Sequence, residues 1–172
     1  QRQMCIRDSS ITDDLTKLYN SRCFYHQLEM ECDRANRYGE AITLLFLDLD
    51  DFKKFNDAYG HVEGDKVLMR LGQVIKKCLR KTDSAYRYGG EEFSVILPMT
   101  ESKNAVITAE RIKNEFKKEL FSPMPGKGVH VTMSIGLAQF KLHEGIKASV
   151  HRVDQLMYQA KQAGKDKICY EP

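Results

Sequence analysis

Two adjacent glycines, Gly89-Gly90, stand between two short runs of strand-like composition, residues 85–88 and 92–97. Glycine tolerates the backbone conformations that a chain reversal needs. The pattern therefore predicts a β-hairpin, and a hairpin demands antiparallel pairing. An all-helical fold and a purely parallel sheet are both excluded. Residues 41–49, rich in Ile, Thr, Leu and Phe, read as a further, buried strand, 129–140 as another and 167–170 as a short last one. Between them apolar residues recur at spacings of three and four. Phe24, Leu28, Cys32 and Ala35 mark a helix over 21–38, closed by Gly39. Val67, Leu68, Leu71, Val74, Ile75 and Cys78 mark a second over 64–79, and Ala105, Ala109, Ile112 and Phe116 a third over 103–120. A fourth helix spans 150–163, with Ser149 as N-cap and Gly164 as its stop. Residues 51–59 form a short helix or turn, and the Pro- and Gly-containing stretch 122–126 breaks the chain. The expected fold class is α/β of the α+β kind: a mixed, mostly antiparallel sheet flanked by helices.

The length of 172 residues fits one domain. The 27 basic and 24 acidic side chains leave a net charge of +3, too balanced for bulk nucleic-acid binding. Five cysteines without a C-x-x-C pair suggest neither zinc nor a disulfide framework and suit a reducing cytosol. No apolar run is long enough to span a membrane. Residues 1–10 lack a signal-peptide core and read as a linker remnant or a leftover of assembly, which leaves 11–172 as the domain.

Four groups carry candidate chemistry. Asp48 and Asp50 share one face at the end of an apolar strand, where carboxylates are costly unless neutralised. A divalent cation would do so, and helix capping is the plainer alternative. Glu91 and Glu92 follow the glycines, either as metal-site acids at the hairpin tip or as solvated charges on an ordinary type I′ turn. Asn56, His61 and Asp65 precede or open the second long helix. Asp65 suits either a helix cap or the paired N–H donors of guanine, and His61 either a structural role or substrate contact. Lys161 and Lys165 end the fourth helix, where they complement its dipole or clamp phosphate oxygens.

With these residues in place, the chain resembles the GGDEF domain family. Gly89-Gly90-Glu91-Glu92-Phe93 reads as the family signature in its GGEEF form. Asp13-Asp14-Leu15-Thr16-Lys17-Leu18-Tyr19-Asn20 is similar to the opening D-x-L-T-x-L-x-N motif. Asp48 to Asp65 follow D-x-D-x-F-K-x-x-N-D-x-x-G-H-x-x-G-D without a gap. Ser134-Ile135-Gly136 and residues 154–161 match later motifs, so the resemblance runs over about 11–170.

The resemblance implies a diguanylate cyclase, which condenses two GTP into cyclic di-GMP and two pyrophosphates on a five-stranded sheet like the nucleotidyl cyclase and polymerase palm. It implies Mg²⁺ (or Mn²⁺) held by Asp48, the carbonyl of Leu49 and Glu91, with Glu92 a further catalytic or metal-binding acid. Asn56 and Asp65 would hold guanine with His61 nearby, Gly89 and Gly90 would line the GTP, and Lys161 and Lys165 would contact phosphates. Arg80 and Asp83 fit an R-x-x-D motif for feedback inhibition by the product. Each domain would bind one GTP, so catalysis would need a homodimer, usually governed by an upstream sensory domain, in the bacterial cytoplasm. Two positions depart from the family pattern: Ser21-Arg22 stands where Arg-Arg is frequent, and Gly164-Lys165-Asp166 where Gly-Arg-Asn is common. A module that binds GTP or cyclic di-GMP without turnover is the alternative.

Overall fold

The computed structural model describes residues 11–171. The central layer is a six-stranded sheet in the order β1-β3-β4-β2-β7-β8. Its strands are β1 (Tyr19–Asn20), β2 (Ile42–Leu49), β3 (Ser84–Arg87), β4 (Glu92–Pro98), β7 (Met133–Gln139) and β8 (Ile168–Tyr170). β5 (Phe121–Met124) and β6 (Lys127–Val129) form a separate small hairpin. β2 lies at the centre, antiparallel to β4 on one side and to β7 on the other. Parallel pairing is confined to the margins, β1 with β3 and β7 with β8. The expected mixed, mostly antiparallel sheet is therefore present. It has one strand more than expected, because the two residues of β1 are too few to show any alternation.

The helices are α1 (Ser21–Tyr38), α2 (Phe52–Tyr59), α3 (His61–Cys78), α4 (Ser102–Lys117) and α5 (Ile146–Gln162). They cover both faces of the sheet, and alternate residues of β2 show why. Leu45, Leu47 and Leu49 join a cluster with Val67, Leu71 and Ile75 of α3 and Ala109 and Ile112 of α4. Ile42, Leu44 and Phe46 join a second cluster with Phe24 and Leu28 of α1 and Val153 and Met157 of α5. A strand buried on both faces reads as a continuous apolar run.

Three local expectations change. The fourth helix begins at Ile146 with Gly145 at its N-cap, and Ser149 is buried inside it. α3 begins at His61 rather than 64, so Asp65 lies within the helix and does not cap it. The stretch around Pro123 forms the β5–β6 hairpin, turned by Gly126 at φ 73°. Cys5 lies outside the described residues; Cys32, Cys78 and Cys169 are free thiols, and burial pushes that of Cys32 up to about 12.

Candidate active site

The site forms where β2 and the β3–β4 hairpin end together. Register places Asp48 opposite Glu92 on β4 and opposite Ser134 on β7. Arg87 pairs with Phe93, so the connection is wider than the two-residue turn of an ordinary hairpin. Neither Gly89 nor Gly90 has the positive φ that a type I′ turn requires. A Cβ at Gly89 would lie 2.4 Å from Glu92 Oε2, the free end of that side chain, so a larger residue there would displace the carboxylate rather than the backbone. At Gly90 a Cβ would meet nothing within 4 Å, so the fold does not demand that glycine.

Arg87 holds this loop. Its Nη2 donates to the carbonyl of Gly90 at 2.8 Å and its Nε to that of Gly89 at 3.2 Å. Its Nη1 pairs with Asp13 Oδ1 at 3.0 Å, while Asp13 Oδ2 accepts from the amide and hydroxyl of Thr16 at 2.7 and 2.6 Å. Burial pushes the Asp13 carboxyl up, but these partners outweigh it and hold it below the usual carboxylate range. The opening motif thus braces the signature loop, a role that 74 residues of separation hide from sequence patterns.

The acids crowd one another. Burial raises Asp48, Glu91 and Glu92 above their ordinary values, and the Asp48 charge raises both glutamates further. Asp154 on α5 adds its charge against Asp48 and Glu92. One cation answers them: Lys161 Nζ donates to Asp48 Oδ1 at 2.6 Å and lies 3.4 Å from the carbonyl oxygen of Leu49. Lys161 reaches that far because α5 lies directly on β7. A Cβ at Gly136 would stand 2.2 Å from Met157 N and 2.5 Å from Val153 O, so only glycine admits the helix so close.

Other expected residues lie around this centre. Lys165 Nζ pairs with Asp51 Oδ2 at 2.8 Å, and with Lys54 it lowers the Asp51 carboxyl to about 2. Asn56 sits in the α2–α3 angle, its Oδ1 buried without a hydrogen-bond partner, where Gly64 leaves it room. His61 and Asp65 are exposed on the first turns of α3. Arg80 and Asp83 meet in a turn: Asp83 Oδ2 accepts from the Arg80 amide at 2.8 Å, and the Arg80 side chain is exposed. Asp50, by contrast, is bonded inward, to Thr132 and Ser134.

The family model of the diguanylate cyclase GGDEF domain matches residues 10–167. The chain belongs to the GGDEF family. Among its relatives, diguanylate cyclase A of Treponema denticola is 36% identical over 165 residues, covering 94% of this chain and 44% of the relative. Diguanylate cyclase DgcP of Pseudomonas aeruginosa is 38% identical over 162 residues, covering 94% of this chain and 24% of the relative. The chain therefore spans less than half the length of these two curated relatives. The GGDEF domain of DgcB from Caulobacter crescentus, solved with c-di-GMP, superposes with a TM-score of 0.91 at 32% identity, covering 96% of this chain and 98% of that one. Diguanylate cyclase SiaD of P. aeruginosa, solved with its activator SiaC, also gives a TM-score of 0.91, at 33% identity, covering 97% of this chain and 64% of that one. The palm-like fold of the GGDEF family is thus the fold of this chain. No described helix is long and apolar enough to cross a membrane.

Proposed function

We propose that residues 11–172 form the catalytic domain of a diguanylate cyclase, condensing two GTP into cyclic di-GMP with release of two pyrophosphates. The observation that carries this reading is the ammonium of Lys161 seated on Asp48 Oδ1 and beside the Leu49 carbonyl, amid carboxylates that burial and mutual repulsion drive toward the neutral acid. Such a place favours bound positive charge. Among the described residues no three His, Cys, Asp or Glu side chains converge as they stand. The donor set here includes a main-chain carbonyl, and all its atoms are the hard oxygens that Mg²⁺ or Mn²⁺ takes. Asp48, the carbonyl of Leu49 and Glu91, with Glu92 beside them, would hold the ion. When bound, it lowers the pKa of the attacking 3′-hydroxyl and neutralises phosphate charge.

The protein's own groups supply the rest. Glu91 or Glu92, with proton affinity raised by burial, accepts the hydroxyl proton. Lys161 and Lys165 contact the phosphates as point charges. Gly90, with open space where a Cβ would stand, lets the nucleotide approach the main chain. The half-buried Asn56 and the exposed Asp65 face guanine, with His61 nearby. One site holds one GTP, so the attacking hydroxyl and the attacked phosphate meet only when two domains face each other, and a homodimer supplies that proximity. Cyclic di-GMP acts back through Arg80, whose exposed guanidinium suits guanine O6 and N7, and Asp83. An upstream sensory domain controls the pairing, and the domain works in the bacterial cytoplasm. The c-di-GMP complex of the similar DgcB domain supports the nucleotide assignment.

The test incubates purified protein with GTP and Mg²⁺ at several protein concentrations and separates products by chromatography with mass detection. Cyclic di-GMP that rises faster than linearly with protein, and is absent for Glu91→Ala and Glu92→Ala, is the expected result. Bound GTP without product at any concentration overturns the reading in favour of a nucleotide-binding module.

A further inference from the structure

Asp50 is the second acid of the D-x-D pattern, yet its carboxylate points inward and is only 6% exposed. Its Oδ1 accepts from Ser134 Oγ at 2.7 Å. Its Oδ2 accepts from Thr132 Oγ1 at 2.7 Å and from the amide of Asp166 at 3.0 Å. Its own amide donates to the Thr132 carbonyl at 2.9 Å. One buried side chain thus ties the end of β2 to the start of β7 and to the turn between α5 and β8.

That turn is strained. Gly164, Lys165 and Asp166 all have positive φ, 109°, 64° and 47°. Only the first is a glycine; left-handed backbone is unfavourable for the other two and persists where surrounding contacts impose it. The turn's contacts are these: the Asp166 amide has Asp50, the Gly164 and Lys165 amides reach the Lys161 and Ala160 carbonyls at 3.3 and 3.2 Å, the Asp166 carbonyl accepts from Lys113 Nζ at 3.5 Å, and the Asp166 carboxylate pairs with Lys117 at 2.5 Å. The turn delivers Lys165 to the mouth of the site, where its ammonium meets Asp51, another residue with positive φ, at 2.8 Å.

We propose that Asp50 is a positioning residue for nucleotide binding: through the Asp166 amide it holds the 164–166 turn in its left-handed form and so aims Lys165 at the phosphates. What matters is an acceptor oxygen facing that amide, not the negative charge. An asparagine at 50 keeps such an oxygen, with its Nδ2 turned to the Ser134 hydroxyl, which can accept. An alanine keeps none. The inference rests on the cyclase reading for the identity of the ligand.

The experiment measures binding of 3′-deoxy-GTP, which lacks the attacking hydroxyl, with Mg²⁺ by calorimetry. Proteins are the wild type, Asp50→Ala, Asp50→Asn, Lys165→Met and the Asp50→Ala/Lys165→Met double variant. Asp50→Ala is expected to bind roughly tenfold more weakly, the loss of one charge-assisted contact. Asp50→Asn should stay within about twofold of wild type, and the double variant should bind no more weakly than Lys165→Met. Wild-type binding by Asp50→Ala, equal loss in Asp50→Asn, or full additivity with Lys165→Met each overturns the proposal. Should Asp50→Ala not fold, Asp50→Ser replaces it, being polar but too short to reach the Asp166 amide. If the wild type binds no 3′-deoxy-GTP, the cyclase reading fails. Hydrogen exchange at the Asp166 amide then decides the tether: faster exchange in Asp50→Ala than in Asp50→Asn upholds it, and equal exchange overturns it.

Discussion

Gly136→Ala puts the packing of the site to a direct test. The added Cβ would stand 2.2 Å from Met157 N, 2.5 Å from Val153 O and 2.8 Å from Leu156 C. Comfortable carbon contacts lie at about 3.5–4.0 Å, so α5 must retreat by roughly an ångström. All three obstacles belong to the helix backbone and cannot rotate away. The φ of Gly136 is not positive, so alanine carries no backbone strain and the whole effect is steric. Overpacking costs about 1–3 kcal/mol, and an obstacle of backbone atoms puts this case near the top of that range. For a chain of this size the melting temperature falls by about 2–4 °C per kcal/mol, or about 6–12 °C in all. The retreat also parts Lys161 from Asp48, now 2.6 Å away, so the proposed cyclase activity should drop with stability. Differential scanning calorimetry reads the first effect and product formation the second. Gly90→Ala is the control: its Cβ meets nothing within 4 Å, so stability should hold while GTP binding weakens. A Gly136→Ala protein melting within about 2 °C of wild type would refute the close-approach argument.

Two further outcomes follow from charge. Glu92 is raised by burial and by Asp48 and Asp154, so its ionised form costs stability above its folded pKa and nothing below the ordinary 4.5. Glu92→Gln should therefore melt higher than wild type at neutral pH, by roughly 2 °C, and lose that advantage as pH falls toward 4.5; equal melting curves at every pH would contradict the crowding of acids. Arg87→Met removes the hold on Gly89 and Gly90 and strands Asp13, at about 1–2 kcal/mol. Asp13 is depressed in the fold, so the wild-type advantage is full above 3.8 and fades as pH falls through its lower folded value. Thermal melts across pH, with amide exchange in the hairpin loop, check both statements; unaltered loop exchange would show that Arg87 does not hold it.

The legible parts of the chain were those whose cause is local. Apolar residues at spacings of three and four placed α1 at its observed bounds, because a helix buries one face whatever lies opposite. The two strands of the hairpin and the central strand appeared within one or two residues of their observed ends. Ser149 looked like a cap because it combined the right residue type with a plausible boundary. α5 starts earlier, at Ile146 with Gly145 as its cap, since Ile146 and Val150 also pack against the core.

The order of residues therefore determined the order of the long helices and the five main strands, the antiparallel pairing around Gly89-Gly90 and the acid-bearing strand end, but not β1 or the β5–β6 hairpin. The tertiary structure decided which charge answers which. Lys161 finds Asp48 across 113 residues, Arg87 finds Asp13 across 74, and the main-chain amide of Asp166 finds the Asp50 carboxylate across 116. The D-x-D alternation gave Asp48 and Asp50 equal standing, but only Asp48 faces the acids of the hairpin, while Asp50 is bound by β7 and the turn after α5. Helix periodicity depends on neighbours within a turn, whereas charge pairing depends on sheet register and on how closely α5 lies against β7.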